Sequence, residues 1–322
     1  MANTHNLFGE FNKTISLIPS KKDKMKSSKD GLRERIRKYF KEKHSDYEPK
    51  FYIQGSYKMG TVIRTKDDIC DLDDGVYFFR VPDITATTLQ TWIKNAVGGY
   101  TEIPPEHRQK CIRNIFTDDY EIDIPVYYKI DNQEYQLAVK NNGWEDSDPK
   151  AMVDWFNDNK DEKGILVRIV KYLKAWCDFK RNKMPSGLAM TILASNTKTK
   201  IVYNGERDDI SLRDTLKEIK KAVTLPNKFE CIVPVMPNDD LFANYDQARK
   251  NNFIEALNTF IEDADKAVQE KNQLKSSKLW QKHLGCRFLE GEDKDEEDVK
   301  NQFAGLYNIA QNSKPWTCLD YV

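Results

Sequence analysis

The chain has 322 residues, 39% of them hydrophobic and 11% aromatic, which is enough for two lobes of ordinary domain size with apolar cores. Its 51 basic and 51 acidic residues cancel, so no overall electrostatic field favours a polyanionic partner, and only local patches remain. Because the sequence shows no N-terminal apolar run and no stretch of about 18 apolar residues, it predicts neither a signal peptide nor a membrane span and favours a cytoplasmic protein.

Cysteine and histidine usage agrees with that compartment. The six cysteines include no Cys-x-x-Cys pair, and several have apolar neighbours in the sequence, so we interpret them as reduced thiols. The four histidines are widely spaced and lack neighbouring cysteines, so no zinc site of the usual ligand spacing is predicted. The cysteines are Cys70, Cys111, Cys177, Cys231, Cys286 and Cys318.

The first predicted helix follows the lysine-rich segment 21–26, with Ser28 or Asp30 as its N-cap. Apolar residues then recur every four positions from Leu32 to Phe40, which indicates one apolar helix face. The many basic residues of this segment fall mostly on other faces. A solvated face is the favoured interpretation of them, and a nucleic-acid surface is the alternative.

A short strand is predicted over residues 51–54, and Gly55-Ser56 then forms a sharp turn. Glycine lets the backbone approach a ligand closely, and free backbone N–H groups with a serine hydroxyl can bind phosphate. The turn is therefore predicted to hold the triphosphate of a nucleotide. Tyr57 and Lys58 are candidates for further residues of the same nucleotide pocket.

The next strand carries two carboxylates on one face. Successive side chains of a strand alternate between its faces, so Asp71 and Asp73 project together, whereas Cys70 and Leu72 project into the core. Ionised carboxylates side by side repel each other unless a cation lies between them, and the all-oxygen shell favours magnesium. Asp74 points to the opposite face and is excluded as a ligand.

A third carboxylate follows in the predicted strand 120–126, where the apolar alternation presents Asp123 at the place where a hydroxyl nucleophile would approach phosphorus. A third carboxylate permits a second ion. The sequence therefore predicts that Asp71, Asp73 and Asp123 are both the metal ligands and the catalytic residues of a site for two Mg²⁺ ions, with Mn²⁺ as a possible substitute. Such a site performs nucleotidyl transfer.

Later segments complete the predicted secondary structure. Alternation predicts one more strand over residues 134–139. After Pro149 the periodicity becomes helical, with helices predicted over residues 165–179, 211–222 and 245–271. The acidic run 290–298 is predicted to be a solvated loop or the charged start of a helix.

The order of these motifs resembles that of the bacterial cGAS/DncV-like nucleotidyltransferases, in the polymerase beta superfamily. Their pattern is Gly-Ser, then Asp-x-Asp, then a later single Asp, and residues 54–61, 71–77 and 122–127 are similar to its DncV-like branch. A further block, residues 166–176 followed by 185–189, resembles the helix and turn that contact the donor's phosphates in this family.

The resemblance implies an α+β fold. Residues 1–150 would form a polymerase-beta-like nucleotidyltransferase lobe with a mixed central sheet and an N-terminal spine helix, and residues 151–322 a mainly helical lobe. It also implies that Lys171 is the preferred partner of the β- and γ-phosphates, with Lys174 second. Ser186 would hydrogen-bond phosphate or nucleobase from its turn.

The implied activity is the joining of NTPs, ATP and/or GTP, into a cyclic di- or trinucleotide second messenger with release of pyrophosphate. The resemblance places this activity in bacterial anti-phage (CBASS) signalling, without a membrane or an obligatory DNA activator, and with a downstream effector that reads the product. Two alternatives stay open: a nucleotidyltransferase that acts on an RNA end or a small-molecule hydroxyl, and a catalytically silent nucleotide-binding protein. A silent protein would be free to lose a carboxylate, and here all three are present.

Overall fold

A computed structural model describes residues 2–295, except residues 118, 202, 204, 206, 225 and 227. Within this part of the chain a mixed sheet with flanking helices precedes a helical region, so the predicted α+β class is confirmed. Cys318 and the last residues of the predicted acidic run, 296–298, lie outside the described residues. The described helices are α1 (His5–Ile15), α2 (Pro19–Lys43), α3 (Gly55–Met59), α4 (Ala86–Val97), α5 (Pro149–Asn159), α6 (Ile165–Lys180), α7 (Gly187–Thr197), α8 (Asp208–Ala222), α9 (Gln247–Gln269) and α10 (Gln273–Leu284).

The sheet is built around one central strand, β2. It pairs antiparallel with β1 on one side and parallel with β5 and β6 on the other. Beyond these pairs the sheet branches, with β4 and β3 continuing from β5, and β7 and β8 continuing from β6. The strands are β1 (Lys50–Gln54), β2 (Cys70–Phe78), β3 (Glu106–His107), β4 (Ile112–Phe116), β5 (Tyr120–Ile124), β6 (Val126–Tyr128), β7 (Gln136–Val139) and β8 (Gly143–Asp146).

Strands β5 and β6 are separated only by Pro125, which has no N–H to donate to a neighbouring strand. Its carbonyl oxygen still accepts a hydrogen bond from the Val76 N–H at 2.9 Å, so the pairing with β2 continues on both sides of the proline. The first half of β2 therefore lies directly beside β5, at the centre of the sheet.

The prediction for the first helix was wrong about its start. Helix α2 begins at Pro19, and Ser28 and Asp30 are interior residues rather than caps. The buried face of the helix extends towards the N-terminus through Lys21 and Lys29, although the sequence pattern predicts that lysines are exposed. The Lys21 ammonium is satisfied there by ion pairs to aspartates of two loops, Asp68 and Asp119. The preceding helix, α1, was not predicted.

Two main hydrophobic cores lie on either side of the cleft described below. The sheet lobe consists of α2, α4 and the strands, and its core lies between those helices and the sheet. The helical lobe consists of α5 to α10 together with α1, whose Leu7, Phe8, Phe11 and Ile15 belong to the helical core. The Phe8 ring lies 5.0 Å from the Trp280 ring, edge to face. Since a fully buried apolar side chain stabilises by about 1.5–3 kcal/mol, α1 is a structural part of the helical lobe.

The later predictions agree with the structure. The strand predicted over 134–139 is β7, and the three predicted helices are α6, α8 and α9, with ends displaced by a few residues. The five cysteines within the described range carry free thiols. In the same range, no helix combines the length and the apolar character needed to cross a bilayer.

Candidate active site

Four carboxylates lie on one face of the central strands. In the register of β2 and β5, Asp71 is opposite Glu121 and Asp73 is opposite Asp123. Neighbouring strands are about 4.8 Å apart, so these carboxylates are near neighbours. We call these four residues the acidic face. The structure thus brings together the three predicted aspartates and adds a glutamate that the prediction did not include.

Asp74 is directed away from the acidic face, as predicted from the alternation of β2. It is buried, and its two carboxylate oxygens accept hydrogen bonds from the Arg33 guanidinium, one of them from Nε at 2.7 Å. This bidentate pair ties helix α2 to the back of the sheet. Asp74 therefore has a structural partner and takes no part in the site.

The acidic face carries negative charge that its surroundings disfavour. Partial burial, together with the neighbouring charges of Asp123 and Asp71, raises the pKa of Asp73 to about 7. Across the cleft, burial lowers the pKa of Lys174 to about 8, although Asp73 and Asp71 favour its charged form. A divalent cation would relieve the repulsion between these carboxylates.

The donor set of the acidic face fits a hard divalent cation, since every side chain offers oxygen and the carboxylates repel one another. Among the described residues, however, no three side chains of His, Cys, Asp or Glu are already arranged to hold a metal ion. One reason is visible on the sheet, where Arg113 donates to both carboxylate oxygens of Asp123 at 2.7 and 2.6 Å. Asp71 and Asp73 have no such partner among the described hydrogen bonds.

The Gly55 turn touches this face. Gly55 begins helix α3 with φ +62°, in the left-handed region that favours glycine. A Cβ at this position would lie 2.0 Å from Asp73 Oδ2, so only glycine lets the turn come this close to the carboxylate. Just before the turn, the Gln54 amide accepts from the Tyr77 hydroxyl at 2.7 Å and donates to the Tyr127 hydroxyl at 3.0 Å. These bonds anchor the turn to the sheet.

A cavity of about 450 Å³ opens between the two lobes above the turn. This volume falls within the range of ligand pockets, roughly 300–1,000 Å³. Ser56, Asp73 and Lys174 contribute polar groups to its wall. Much of the remaining wall is apolar and suits the flat face of a nucleobase, with side chains from α5, α7 and the loop 233–241, among them Met152, Leu188, Val233, Val235, Met236 and Leu241.

Three other predicted nucleotide-binding residues, Tyr57, Lys58 and Ser186, do not themselves line this cavity. The Tyr57 side chain packs against the core of the sheet lobe, and Lys58 is exposed on α3. Ser186 is the N-cap of α7, where its hydroxyl oxygen accepts from the Ala189 N–H at 3.2 Å. The hydroxyl hydrogen of Ser186 stays free to donate, and the next residues of α7 line the cavity.

Known proteins are similar to this chain in sequence and in fold. The family profile described as "Cyclic GMP-AMP synthase DncV-like, nucleotidyltransferase domain" matches residues 49–127, the segment that contains the Gly55 turn and the acidic face. A cyclic GMP-AMP synthase of Escherichia albertii is 32% identical over 187 residues, which cover 52% of this chain and 41% of that protein. Residues 49–127 therefore form a DncV-like nucleotidyltransferase domain.

Solved structures of this family agree in fold. Vibrio cholerae DncV in its GTP-bound form superposes with a TM-score of 0.79 at 18% identity, covering 89% of this chain and 96% of that one. The same protein with the linear intermediate 5′ pppA(3′,5′)pG gives a TM-score of 0.75, also at 18% identity, with the same two coverages. The matched segments span between 41% and 66% of the length of the curated relatives. Nucleotidyltransferases of this type generally use divalent metal ions.

The two lysines of α6 that the family motif singles out have different surroundings. Lys174 Nζ donates to the Thr61 carbonyl and hydroxyl oxygens at 3.2 and 3.1 Å and lines the cavity. A Cβ on Gly187 would lie 3.1 Å from Lys174 Cε, so the glycine leaves room for this lysine. Lys171 instead donates to Ser16 Oγ at 3.0 Å, beside the link between α1 and α2. We therefore propose Lys174, ahead of Lys171, as the phosphate partner.

Replacing Lys174 with methionine is expected to raise the KM for NTP by about ten- to a hundredfold, since a hydrogen bond to a charged group contributes about 1.5–3 kcal/mol. The same replacement at Lys171, on the same helix, is expected to change KM by less than about threefold. Initial rates at varied NTP concentration measure both. A larger effect at Lys171 than at Lys174 would restore the preference drawn from the sequence.

Two residues of the site were missed by the sequence reasoning. Glu121 carried a usable signal, because Glu121-Ile122-Asp123 has the same acid-x-acid alternation as Asp71-Leu72-Asp73. Arg113 carried none, since its contact with Asp123 arises from the register of β4 against β5. The apolar cavity wall from the loop 233–241 was equally hidden, because the loop approaches the site only in the folded chain.

Proposed function

We propose that this chain is a metal-dependent nucleotidyltransferase that joins NTPs into a cyclic di- or trinucleotide and releases pyrophosphate. The observation that carries the proposal is the meeting of three parts at one cleft. Asp73 of the acidic face, Ser56 of the glycine turn and Lys174 of the helical lobe line the same cavity. Carboxylates and phosphate-binding groups side by side are what transfer of a nucleotidyl group requires.

The residues divide the work by position. Ser56 and Lys174 would hold the donor triphosphate so that its α-phosphorus faces Asp71 and Asp73. Asp123, on the neighbouring strand, would lie beside the incoming ribose hydroxyl. Divalent cations bound to the three aspartates would neutralise the departing pyrophosphate and lower the pKa of that hydroxyl. In the reaction the acceptor oxygen forms a bond to the α-phosphorus and the bond from phosphorus to pyrophosphate breaks.

Ring closure would use the same residues a second time. After the first transfer the linear product keeps a triphosphate at one end and a free ribose hydroxyl at the other. Turned around in the cavity, it would present the triphosphate to Ser56 and Lys174 and the hydroxyl to Asp123. A DncV structure holds a linear intermediate of this kind, which supports the sequence of events for that protein.

The finer features of the proposal come from the family resemblance. We propose ATP and/or GTP as substrates and two Mg²⁺ ions, replaceable by Mn²⁺, as cofactors. The product would be a second messenger in CBASS anti-phage signalling that a downstream effector recognises, and no DNA would be needed for activity. The relatives named cyclic GMP-AMP synthase and the GTP-bound DncV structure support the choice of ATP and GTP as substrates.

Incubation of the purified chain with the four NTPs and Mg²⁺ or Mn²⁺ tests the proposal. We expect phosphatase-resistant products that mass spectrometry identifies as cyclic di- or trinucleotides. Extension of a labelled RNA end, or transfer only to an added small-molecule hydroxyl, would establish another acceptor instead. Nucleotide binding without any product, under both metals, would identify a silent protein.

A further inference from the structure

Arg113 is placed to act on the acidic face. It lies on β4 directly opposite Asp123 in the antiparallel register with β5. Its Nε and Nη2 donate to the two oxygens of Asp123, and its Nη1 forms an ion pair with Glu121. The side chain is only 16% exposed, so water screens these contacts weakly. One guanidinium therefore bridges the two carboxylates of β5.

This bridge divides the acidic face into two halves. On β5, both carboxylates form an ion pair with Arg113, whose single positive charge offsets one of their two negative charges, whereas on β2 Asp71 and Asp73 make no ion pair among the described residues. The two bonds to Asp123, at 2.7 and 2.6 Å, and the ion pair with Glu121 hold the guanidinium on the β5 half.

Asp123 thus has two competing uses. The proposed function assigns it to a divalent cation, and in the structure both of its oxygens are already engaged by Arg113. A cation brought next to Asp123 would be repelled by the guanidinium at contact distance. Glu121 offers a second carboxylate within reach of the same guanidinium, so the arginine need not become unpaired when Asp123 is released.

We propose that Arg113 is a positioning residue that holds Asp123 until a divalent cation arrives and then retains only Glu121. This inference rests on the proposed function. Arg113 takes the place of a cation on the β5 half of the acidic face, and Glu121 is its reserve partner rather than a metal ligand. We call this replacement of Arg113 by a cation at Asp123 the exchange. It makes cation binding at Asp123 weaker than the carboxylates alone would allow.

Titration of the full chain with Mn²⁺ alone, followed by electron paramagnetic resonance of free Mn²⁺, tests the exchange without any turnover. We expect Arg113→Gln to tighten Mn²⁺ binding by about tenfold, because it removes a positive charge in contact with a ligand. Arg113→Lys keeps the charge but loses the two-pronged contact, so its affinity should fall between wild type and Arg113→Gln. Tighter binding than wild type cannot result from a merely damaged fold.

The matched control is Arg108→Gln. Arg108 lies in the turn before β4, its charge also acts on Glu121, and its Nε is bound to Glu106 rather than to the acidic face. This variant removes the same charge from the same region and is expected to change Mn²⁺ affinity by less than about threefold. Equal affinities for the Arg108 and Arg113 variants would overturn the proposal.

The role of Glu121 follows from a double-mutant cycle. Glu121→Gln alone should weaken Mn²⁺ binding by several fold, because Arg113 is then left with Asp123 as its only partner. In the Arg113→Gln background the same replacement should have a clearly smaller effect, which is the loss of one negative charge near the cation. An equal loss in both backgrounds would mean that Glu121 acts on the cation independently of Arg113, and would overturn its assignment as reserve partner.

The titration also distinguishes the failure of this inference from the failure of the proposed function. Wild-type Mn²⁺ binding that disappears in the Asp71→Asn/Asp73→Asn variant would locate the cation at the acidic face. With that result, unchanged affinity in both Arg113 variants rejects only the exchange. Binding that survives the loss of both aspartates rejects the metal site on which the proposed function and the exchange depend.

Discussion

Replacement of Asp71 and Asp73 together by asparagine is expected to lower the rate of nucleotidyl transfer by roughly 10³-fold or more. A bound cation contributes several kcal/mol to stabilising the charge of the transition state, and about 1.4 kcal/mol corresponds to a tenfold change in rate. Both aspartates lie at the start of β2, and the remaining acid of this strand, Asp74, is bound to Arg33 on the opposite face, so no other residue of β2 can replace them. Pyrophosphate release from NTPs with Mg²⁺ measures the rate.

The matched control is Asp154→Asn with Asp158→Asn, which removes the same charge from exposed positions of α5. It should leave the rate within about twofold of wild type. Near wild-type product formation by the Asp71→Asn/Asp73→Asn variant would refute the metal assignment.

Thermal unfolding without divalent cation adds an independent check on Asp73. Its pKa is raised in the fold to about 7. The carboxylate therefore costs stability once the pH exceeds the unfolded value of about 4, and the cost grows until the pH passes the folded value. At pH 7.5, Asp73→Asn should consequently unfold at the same temperature as wild type or higher. A lower unfolding temperature would mean that the charged carboxylate stabilises the fold.

Gly55→Ala is expected to lower kcat/KM by about 10²-fold or more. The added Cβ would lie 2.0 Å from Asp73 Oδ2, so either the turn or the carboxylate must move. A displacement of about 1 Å at a reacting centre can cost a factor of 10² in rate. Steady-state rates at varied NTP and Mg²⁺ concentrations should show the loss in kcat and a weaker response to Mg²⁺.

Gly60→Ala separates this collision from ordinary backbone strain. Gly60 ends the same short helix with φ +77°, and nothing lies within 4 Å of a Cβ at that position. Both variants share a left-handed conformation that disfavours alanine by about 1–2 kcal/mol, so both should lose at least that stability, and only Gly55→Ala adds the collision with Asp73. Equal losses of activity would show that strain, and not contact with Asp73, explains the effect of Gly55→Ala.

The strands and the acidic face could be predicted because alternation along a strand is a local property. Residues 70–73 and 120–124 alternate between buried and accessible positions in the structure as they do in the sequence. Helix α2 was harder, since Lys21 occupies a buried position that only Asp68 and Asp119 make tolerable. Those partners lie far along the chain, and no local pattern reveals them.

The residues of the site, too, could be predicted only where a local sequence pattern determines them. Its three aspartates follow from strand alternation and from the family motif, whereas the choice between Lys171 and Lys174 depends on which side of α6 faces the cleft. Ser16 and Thr61 decide that choice in the fold, by accepting from one lysine each. Arg113 reaches Asp123 only through strand register, which is a property of the assembled sheet.

The seating of α1 among the helices of the other lobe has a topological consequence. Within the described part of residues 2–295, the backbone passes from one lobe to the other twice, at residues 16–18 and again at residues 147–148. A chain cleaved at the second passage would yield one fragment whose helix α1 exposes its apolar face. The other fragment would have cavities at the positions that Phe8 and Phe11 fill in the intact core. The halves are thus mutually dependent, and any widening of the cleft must flex both passages in concert.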